Sequence, residues 1–167
     1  FLDAREAANH PRALEGWYTP DGLAKLLRQD TTDAQAKLAA EPKDYLPLRD
    51  YQKDAIAAVE GGLAEGQREM LLAMATGTGK TRTCICLIYR LVKAGRFRRV
   101  LFLVDRTALG DQAHEALKNV KFEQVQSFTE IYDVKGLGDI TPDPDTRLQI
   151  ATVQGMVQRI LYPSGKA

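Results

Sequence analysis

No run of apolar residues in this chain approaches the roughly 18 that a membrane-spanning helix requires, and no leader with a basic start and an apolar centre opens it. A cytoplasmic location is the expectation. Charge of neither sign is in surplus: 23 basic and 22 acidic residues leave a net charge of +1, so the overall balance argues neither for nor against a nucleic-acid partner. Cysteine is nearly absent. Cys84 and Cys86 lie two apart in a stretch with helical spacing, which turns them about 200° from each other. That excludes a disulfide or a shared metal between them and leaves buried thiols of a reducing compartment. The two histidines, His10 and His114, have no second ligand or nucleophile at useful spacing, which sets aside metal and histidine-based chemistry. Internal repeats and low-complexity tracts are missing as well.

What is present is ordinary in bulk: 167 residues, 44% apolar and 27% charged, enough for about one domain with a real core. The charge is distributed unevenly. Six basic residues stand against eight acidic ones before Leu48, and 17 against 14 from there on, a mild preference of the later part for an anionic ligand.

The first 47 residues differ from the rest. Thr19-Pro20-Asp21 has the form of a helix start, leading into Leu23, Leu26 and Leu27 on one face. A second, alanine-rich helix is expected over Asp33–Ala40, and Glu41 to Pro47 breaks regular structure. Trp17 and Tyr18 are expected to anchor this segment, which carries no chemistry of its own. A beginning at Phe1 without methionine suggests a piece of something longer. The division expected is a helical connector over 1–47 and a second domain over 48–167.

From Leu48 on, helix and strand patterns alternate. Tyr51, Ala55, Ile56, Val59 and Leu63 have helical spacing; Glu69–Met74 reads as a buried strand and Thr83–Val92 as a helix ending near Gly95. The strand Val100–Val104, a helix from Thr107 to Lys118, a weak strand near Val125 and a polar loop through Gly136, Gly138, Pro142 and Pro144 follow. The strand Leu148–Ala151 and the helix Val153–Ile160 come last. Strands separated by helices predict an α/β fold, a parallel sheet with helices on both faces and ligands at the carboxyl ends of its strands.

The most specific feature is Met74-Ala75-Thr76-Gly77-Thr78-Gly79-Lys80-Thr81, placed between the strand and helix patterns. Gly77 and Gly79 allow positive φ and close approach of backbone N–H groups to phosphate oxygens. The helix that follows offers unpaired N–H groups and the positive end of its dipole. Lys80 is expected to reach the β- and γ-phosphates, and Thr81 to offer its hydroxyl to Mg²⁺. The nucleotide-binding stretch is thus Thr76, Gly77, Thr78, Gly79, Lys80, Thr81 and Arg82, with Lys80 and Thr81 nearest the chemistry. Met74 stands where the general pattern specifies glycine, so the loop is a variant. The bland alternative is a glycine-rich turn with a solvated lysine.

About 25 residues earlier, in Leu48-Arg49-Asp50-Tyr51-Gln52, the Gln52 amide could pair with adenine N6 and N7 and select ATP over GTP. Arg49 is a possible neighbour, and a surface glutamine on an amphipathic helix is the plain alternative.

These segments together resemble superfamily 2 helicases and translocases, most closely the motor subunit of type I restriction endonucleases. The matching stretches are Trp17–Pro20, Leu48–Gln52, Met74–Thr81, Phe102–Leu109, Gln126–Phe128, Ile131–Gly136 and Ala151–Met156. The resemblance implies a RecA-like P-loop NTPase lobe, present in part, with ATP and Mg²⁺ as cofactors. It implies double-stranded DNA and the modification and specificity subunits of a restriction complex as partners. It makes Asp105, Arg106 and Thr107 one DNA-contacting segment and Thr152 to Gln154 the next. Both begin helices at strand ends, where N–H groups and an arginine can grip phosphates without reading bases; for Asp105–Thr107 the alternative is helix capping with a solvated arginine.

The acidic motif that such a lobe needs for Mg²⁺ and water is not found after Ile150. Val100–Val104 followed by Asp105 imitates its magnesium half, but Arg106 and Thr107 stand where the acidic partner belongs. The nuclease residues are expected elsewhere, and the isolated chain is expected to lack appreciable ATPase activity. The competing readings are a small-molecule kinase or GTPase, another superfamily 2 helicase, and a module in which ATP orders a surface for partner proteins without being hydrolysed.

Overall fold

A computed structural model describes residues 20–122, 126–139 and 145–161, with side chains from residue 30 on. The chain divides into two compact units at Asp33/Ala34. The first is described only from Pro20, as the opening of helix α1 (Pro20–Ala40), so Trp17 and Tyr18 lie outside the described residues. In place of the two short helices expected here, one continuous helix forms. Asp30-Thr31-Thr32-Asp33, which resembles a cap, is not followed by a glycine or proline that would break the turn.

The second unit contains helix α2 (Asp50–Ala64), helix α3 (Lys80–Lys93), strand β1 (Val100–Val104), helix α4 (Thr107–Asn119), the single turn α5 (Phe128–Ile131), strand β2 (Asp133–Lys135), strand β3 (Thr146–Thr152) and helix α6 (Val153–Leu161). All three strands are parallel, in the order β1-β3-β2. Val100 pairs with Leu148 and Val104 with Thr152, which brings the carboxyl ends of β1 and β3 side by side.

The helices cover the two faces unequally. On one face Ile85, Ile88, Tyr89 and Val92 of α3 and Ala113 and Leu117 of α4 pack on Leu148 and Ile150 of β3, with Phe128 sealing the cluster. Tyr89 is its aromatic centre, stacked on Phe122 at 4.2 Å and met edge-on by Tyr45 at 5.1 Å. On the other face Met156 of α6 meets Leu101 and Gln149 around a small cavity, while Leu101 and Leu103 stay 45% and 49% exposed.

One expectation about strands needs correction. Glu69–Met74 forms no strand, and Leu71 is 93% exposed. A strand needs a ladder partner, and β3 already has both edges occupied, while this stretch lies along neither outer strand. The strand expected near Val125 lies outside the described residues; β2, inside Ile131–Gly136, is a strand that was not expected. Gln126-Ser127-Phe128 starts α5, where Glu130 accepts a hydrogen bond from the Ser127 amide and closes a capping box.

The segment between α1 and α2 is held by the far end of α3. Arg90 is wholly buried. Its Nε donates to Glu60 Oε1 at 2.6 Å and one terminal nitrogen to Glu60 Oε2 at 3.0 Å. The remaining donors reach the carbonyls of Leu38 (3.0 Å), Glu41 (2.9 Å) and Pro42. Beside it Lys93 pairs with Glu41 at 3.2 Å and lies over the Tyr45 ring. One guanidinium therefore joins α1, the connecting loop, α2 and α3.

Removing one partner of a buried, fully bonded ion pair costs about 3–5 kcal/mol, because the other charge is left without compensation. Arg90→Ala and Glu60→Ala are each expected to lose that much stability in urea denaturation, and the double variant less than their sum. Near-additive losses would mean that the two side chains act separately.

Both cysteines are free, Cys86 buried and Cys84 partly so. Burial raises the Cys84 thiol and pushes that of Cys86 up to about 11, with the nearby Arg90 and Glu60 charges acting in opposite directions. The thiolate is the nucleophile, so iodoacetamide at pH 8 should spare Cys86 in the native chain and modify it once urea unfolds the chain. Rapid native modification of Cys86 would show that this face of α3 is not packed as described.

Candidate nucleotide-binding loop and phosphate-gripping edge

The loop of residues 74–79 leads directly into α3. Gly77 and Gly79 adopt φ of 78° and 82°, the left-handed region that favours glycine. Space around Gly77 is open, whereas a Cβ on Gly79 would lie 2.5 Å from the Gln52 amide nitrogen. The first helical bond runs from Thr83 N–H to Gly79 O, so the N–H groups just before it, at Lys80, Thr81 and Arg82, have no intrahelical acceptor. Lys80 Nζ donates to Met74 O at 3.2 Å and to Ala75 O at 3.1 Å, folded over its own loop. Thr81 is exposed, and Arg82 Nε is a buried donor without an acceptor. The Thr76 side is exposed, and Thr78 closes the turn through its hydroxyl to Ala75 O at 2.7 Å.

These features fit a polyphosphate: two glycines that clear the backbone, a run of free N–H groups, and a lysine bound only to carbonyls. Mg²⁺ would be held by the Thr81 hydroxyl and phosphate oxygens, in keeping with the few protein ligands this ion commonly takes. Among the described residues no group of three or more His, Cys, Asp or Glu could hold a metal.

Gln52 is buried, and both ends of its amide are engaged. Oε1 accepts from the Arg49 N–H at 2.9 Å, and Nε2 donates to Thr78 O at 3.0 Å and to Gly79 O at 3.4 Å. Tyr51 adds a bond from its hydroxyl to Thr78 O at 3.0 Å. The start of α2 is thus a brace for the loop. Arg49 precedes α2 with its side chain exposed. Sequence reasoning missed Tyr51 as a partner of the loop, although its place beside Gln52 could have suggested it.

The second group of residues lies at the carboxyl edge of the sheet. Asp105, Arg106 and Thr107 follow β1, and Thr152, Val153 and Gln154 follow β3, whose ends are neighbours through the pairing of Val104 with Thr152. Arg106 and Asp105 are 82% and 69% exposed and only loosely paired at 3.7 Å. The Thr152 hydroxyl accepts from the Gly155 N–H at 3.0 Å and so caps α6; Gln154 is exposed. The loop connects to this edge through α3 and α4, which share one core.

With this geometry in place, comparison with known proteins identifies the family. Residues 45–165 match the family described as type III restriction enzyme, res subunit, and the chain belongs to it. Similar curated proteins include the endonuclease subunit of the type I restriction enzyme EcoKI of Escherichia coli K12, 43% identical over 96% of this chain. The endonuclease subunit of type I enzyme EcoAI from Escherichia coli is 37% identical over 73% of the chain. A putative ATP-dependent helicase of Saccharomyces cerevisiae, IRC3, is 34% identical over 68% of it. The chain spans 14%, 15% and 16% of these relatives' lengths. No solved structure matches. The resemblance to the motor subunit of type I restriction endonucleases is thereby borne out, and the three-stranded parallel sheet with its helices is part of a RecA-like lobe. No helix among the described residues is long and apolar enough to cross a membrane.

A left-handed conformation costs a residue with a Cβ roughly 1–2 kcal/mol. Gly77→Ala should lose that much stability. Gly79→Ala should lose more, because its new methyl also displaces Gln52; equal urea midpoints for the two variants would show that the brace does not press on the loop.

Proposed function

We propose that this chain is the ATP-binding part of an ATP-dependent translocase of double-stranded DNA within a type I restriction endonuclease. The observation that carries the reading is the loop itself, with two left-handed glycines and Lys80 at the mouth of a helix whose far face packs on the sheet. The Lys80 side chain and the N–H groups of Lys80, Thr81 and Arg82, at the end of the loop Thr76 to Gly79, bind the phosphates, Thr81 holds Mg²⁺, and Arg49 and Gln52 stand on the adenine side. Asp105, Arg106 and Thr107, with Thr152 and Gln154, form the segments that grip the duplex backbone at neighbouring strand ends.

In this reading residues 1–47 are a connector and 48–167 the first part of the motor lobe. The acidic motif, the second lobe and the nuclease residues belong to other parts of the polypeptide. The modification and specificity subunits are the protein partners, and the cytoplasm is the place of action. The helicase among the relatives leaves another superfamily 2 DNA helicase as the nearest alternative. A module that binds ATP without hydrolysing it is a second reading.

Calorimetric titration with Mg-ATP and Mg-GTP tests the reading. ATP should bind more tightly, and Lys80→Ala should weaken it at least about tenfold, since a unit-charge contact near 4 Å is worth roughly 4 kcal/mol at an effective dielectric of about 20. Undiminished binding by Lys80→Ala removes the loop assignment, and equal affinities for the two nucleotides remove the adenine assignment. The 167-residue chain should bind without turnover; hydrolysis stimulated by duplex DNA should require a longer polypeptide.

A further inference from the structure

The stretch Ile131–Gly136 is distinctive in the sequence, yet the nucleotide and DNA roles leave it without a task. Its end forms the turn Gly136–Asp139, closed by the Gly136 N–H to Asp139 Oδ2 at 2.9 Å and the Asp139 N–H to Gly136 O at 3.3 Å. Three elements of the phosphate-gripping edge hold this turn. Gln149 of β3 donates to Asp139 O at 3.3 Å, and Arg159 of α6 donates to Leu137 O at 3.4 Å. From α4, Gly110 meets the Leu137 side chain so closely that a Cβ there would lie 2.7 and 2.9 Å from its methyls.

Gly110 is the informative residue. It sits inside α4, buried, one turn after Arg106, whose carbonyl accepts its N–H at 3.3 Å. Glycine inside a helix costs about 1 kcal/mol relative to alanine, and Gly110 is not among the glycines of positive φ. Conformation therefore does not require it; the approach of Leu137 does.

We propose that Leu137, seated on Gly110 and tied to Arg159, is a positioning residue for duplex binding. It ties the first turns of α4, at Gly110, to the last turn of α6, at Arg159, and so sets the directions of the two helices, so that Arg106-Thr107 and Thr152–Gln154 at their starts meet the backbone at a set spacing. The pairing of β1 with β3 sets the distance between the strand ends, and the Leu137 contact sets how the two helices leave them. The inference rests on the DNA reading above, and the test separates the two.

Binding of a fluorescent 20-base-pair duplex of mixed sequence is measured by anisotropy over a salt series, with folding followed by circular dichroism. Residues in contact couple by about 0.5–3 kcal/mol, so Gly110→Ala and Leu137→Ala should each weaken binding about threefold or more. The double variant Gly110→Ala/Leu137→Ala, with the bulk moved across the contact, should recover most of the loss. The salt slope should stay at the wild-type value in all three, whereas Arg106→Ala, which removes a phosphate contact, should reduce it by about one. A merely stabilising contact would lower the melting temperature and leave the affinity of folded molecules unchanged, which overturns the proposal. If Gly110→Ala does not fold, Leu137→Ala and Arg159→Ala decide: wild-type affinity in both overturns it. A wild-type chain without salt-dependent duplex binding overturns the DNA reading and this inference with it.

Discussion

The buried guanidinium of Arg90 is the constraint on which the arrangement of the second unit depends. A charge taken fully out of water is tolerated only when every donor finds an acceptor, and here five do, on Glu60 and on the carbonyls of Leu38, Glu41 and Pro42. Apolar contacts between helices tolerate sliding by fractions of a turn, whereas this set of bonds does not. It places the segment after α1, the latter part of α2 and the latter part of α3 in one register.

That register reaches the loop because α2 and α3 are joined at two points. Gln52 and Tyr51 bond to Thr78 and Gly79 near the start of both helices, and Glu60 bonds to Arg90 further along both. Eight residues of α2 and about eleven of α3 separate the two points, some 12–16 Å at the helical rise of 1.5 Å per residue. Two attachments that far apart resist rotation of one helix on the other, which a single contact cannot. The irregular stretch 67–75, with no ladder to hold it, leaves this brace as the chief restraint on the loop from outside α3.

The parts of this arrangement legible in the sequence are those with a local signal. The loop was legible from glycine and lysine spacing, α3 from an apolar pattern bounded by glycines, and β1 from an apolar run bounded by charged residues. That Asp105–Thr107 and Thr152–Gln154 share the carboxyl edge follows from parallel topology, which alternation of helix and strand implies; that they are neighbours depends on the strand order β1-β3-β2, which has no local signal. Arg90 was not legible: an arginine between Tyr89 and Leu91 reads as the solvated face of a helix, and its burial depends on carbonyls some 50 residues earlier. β2 escaped notice because three residues are too few for a period to appear. Glu69–Met74 misled in the opposite sense, since an apolar run records the capacity to be buried in a sheet while only a neighbouring strand realises it. Gly110 lies between: a glycine inside a helical pattern is visible, but the residue that needs the space is not.

In the proposed reading, one lysine would serve both the loop's own stability and phosphate binding. Lys80 donates to two backbone carbonyls, and hydrogen bonds to a charged group are worth about 1.5–3 kcal/mol each. A solvent-exposed lysine falls at the lower end of that range, because water competes for the same donors. A phosphate oxygen offers full charge in place of a carbonyl dipole, and several loop N–H groups that bond to no helical acceptor join in the same event. The carbonyl bonds are therefore strong enough to keep the lysine over the loop and weak enough to be exchanged. Gln52 stands differently, because its amide is buried and satisfied on both sides. Reading a base with it would cost bonds that hold the loop, so in the proposed reading adenine selection would be coupled to loop shape through a single side chain.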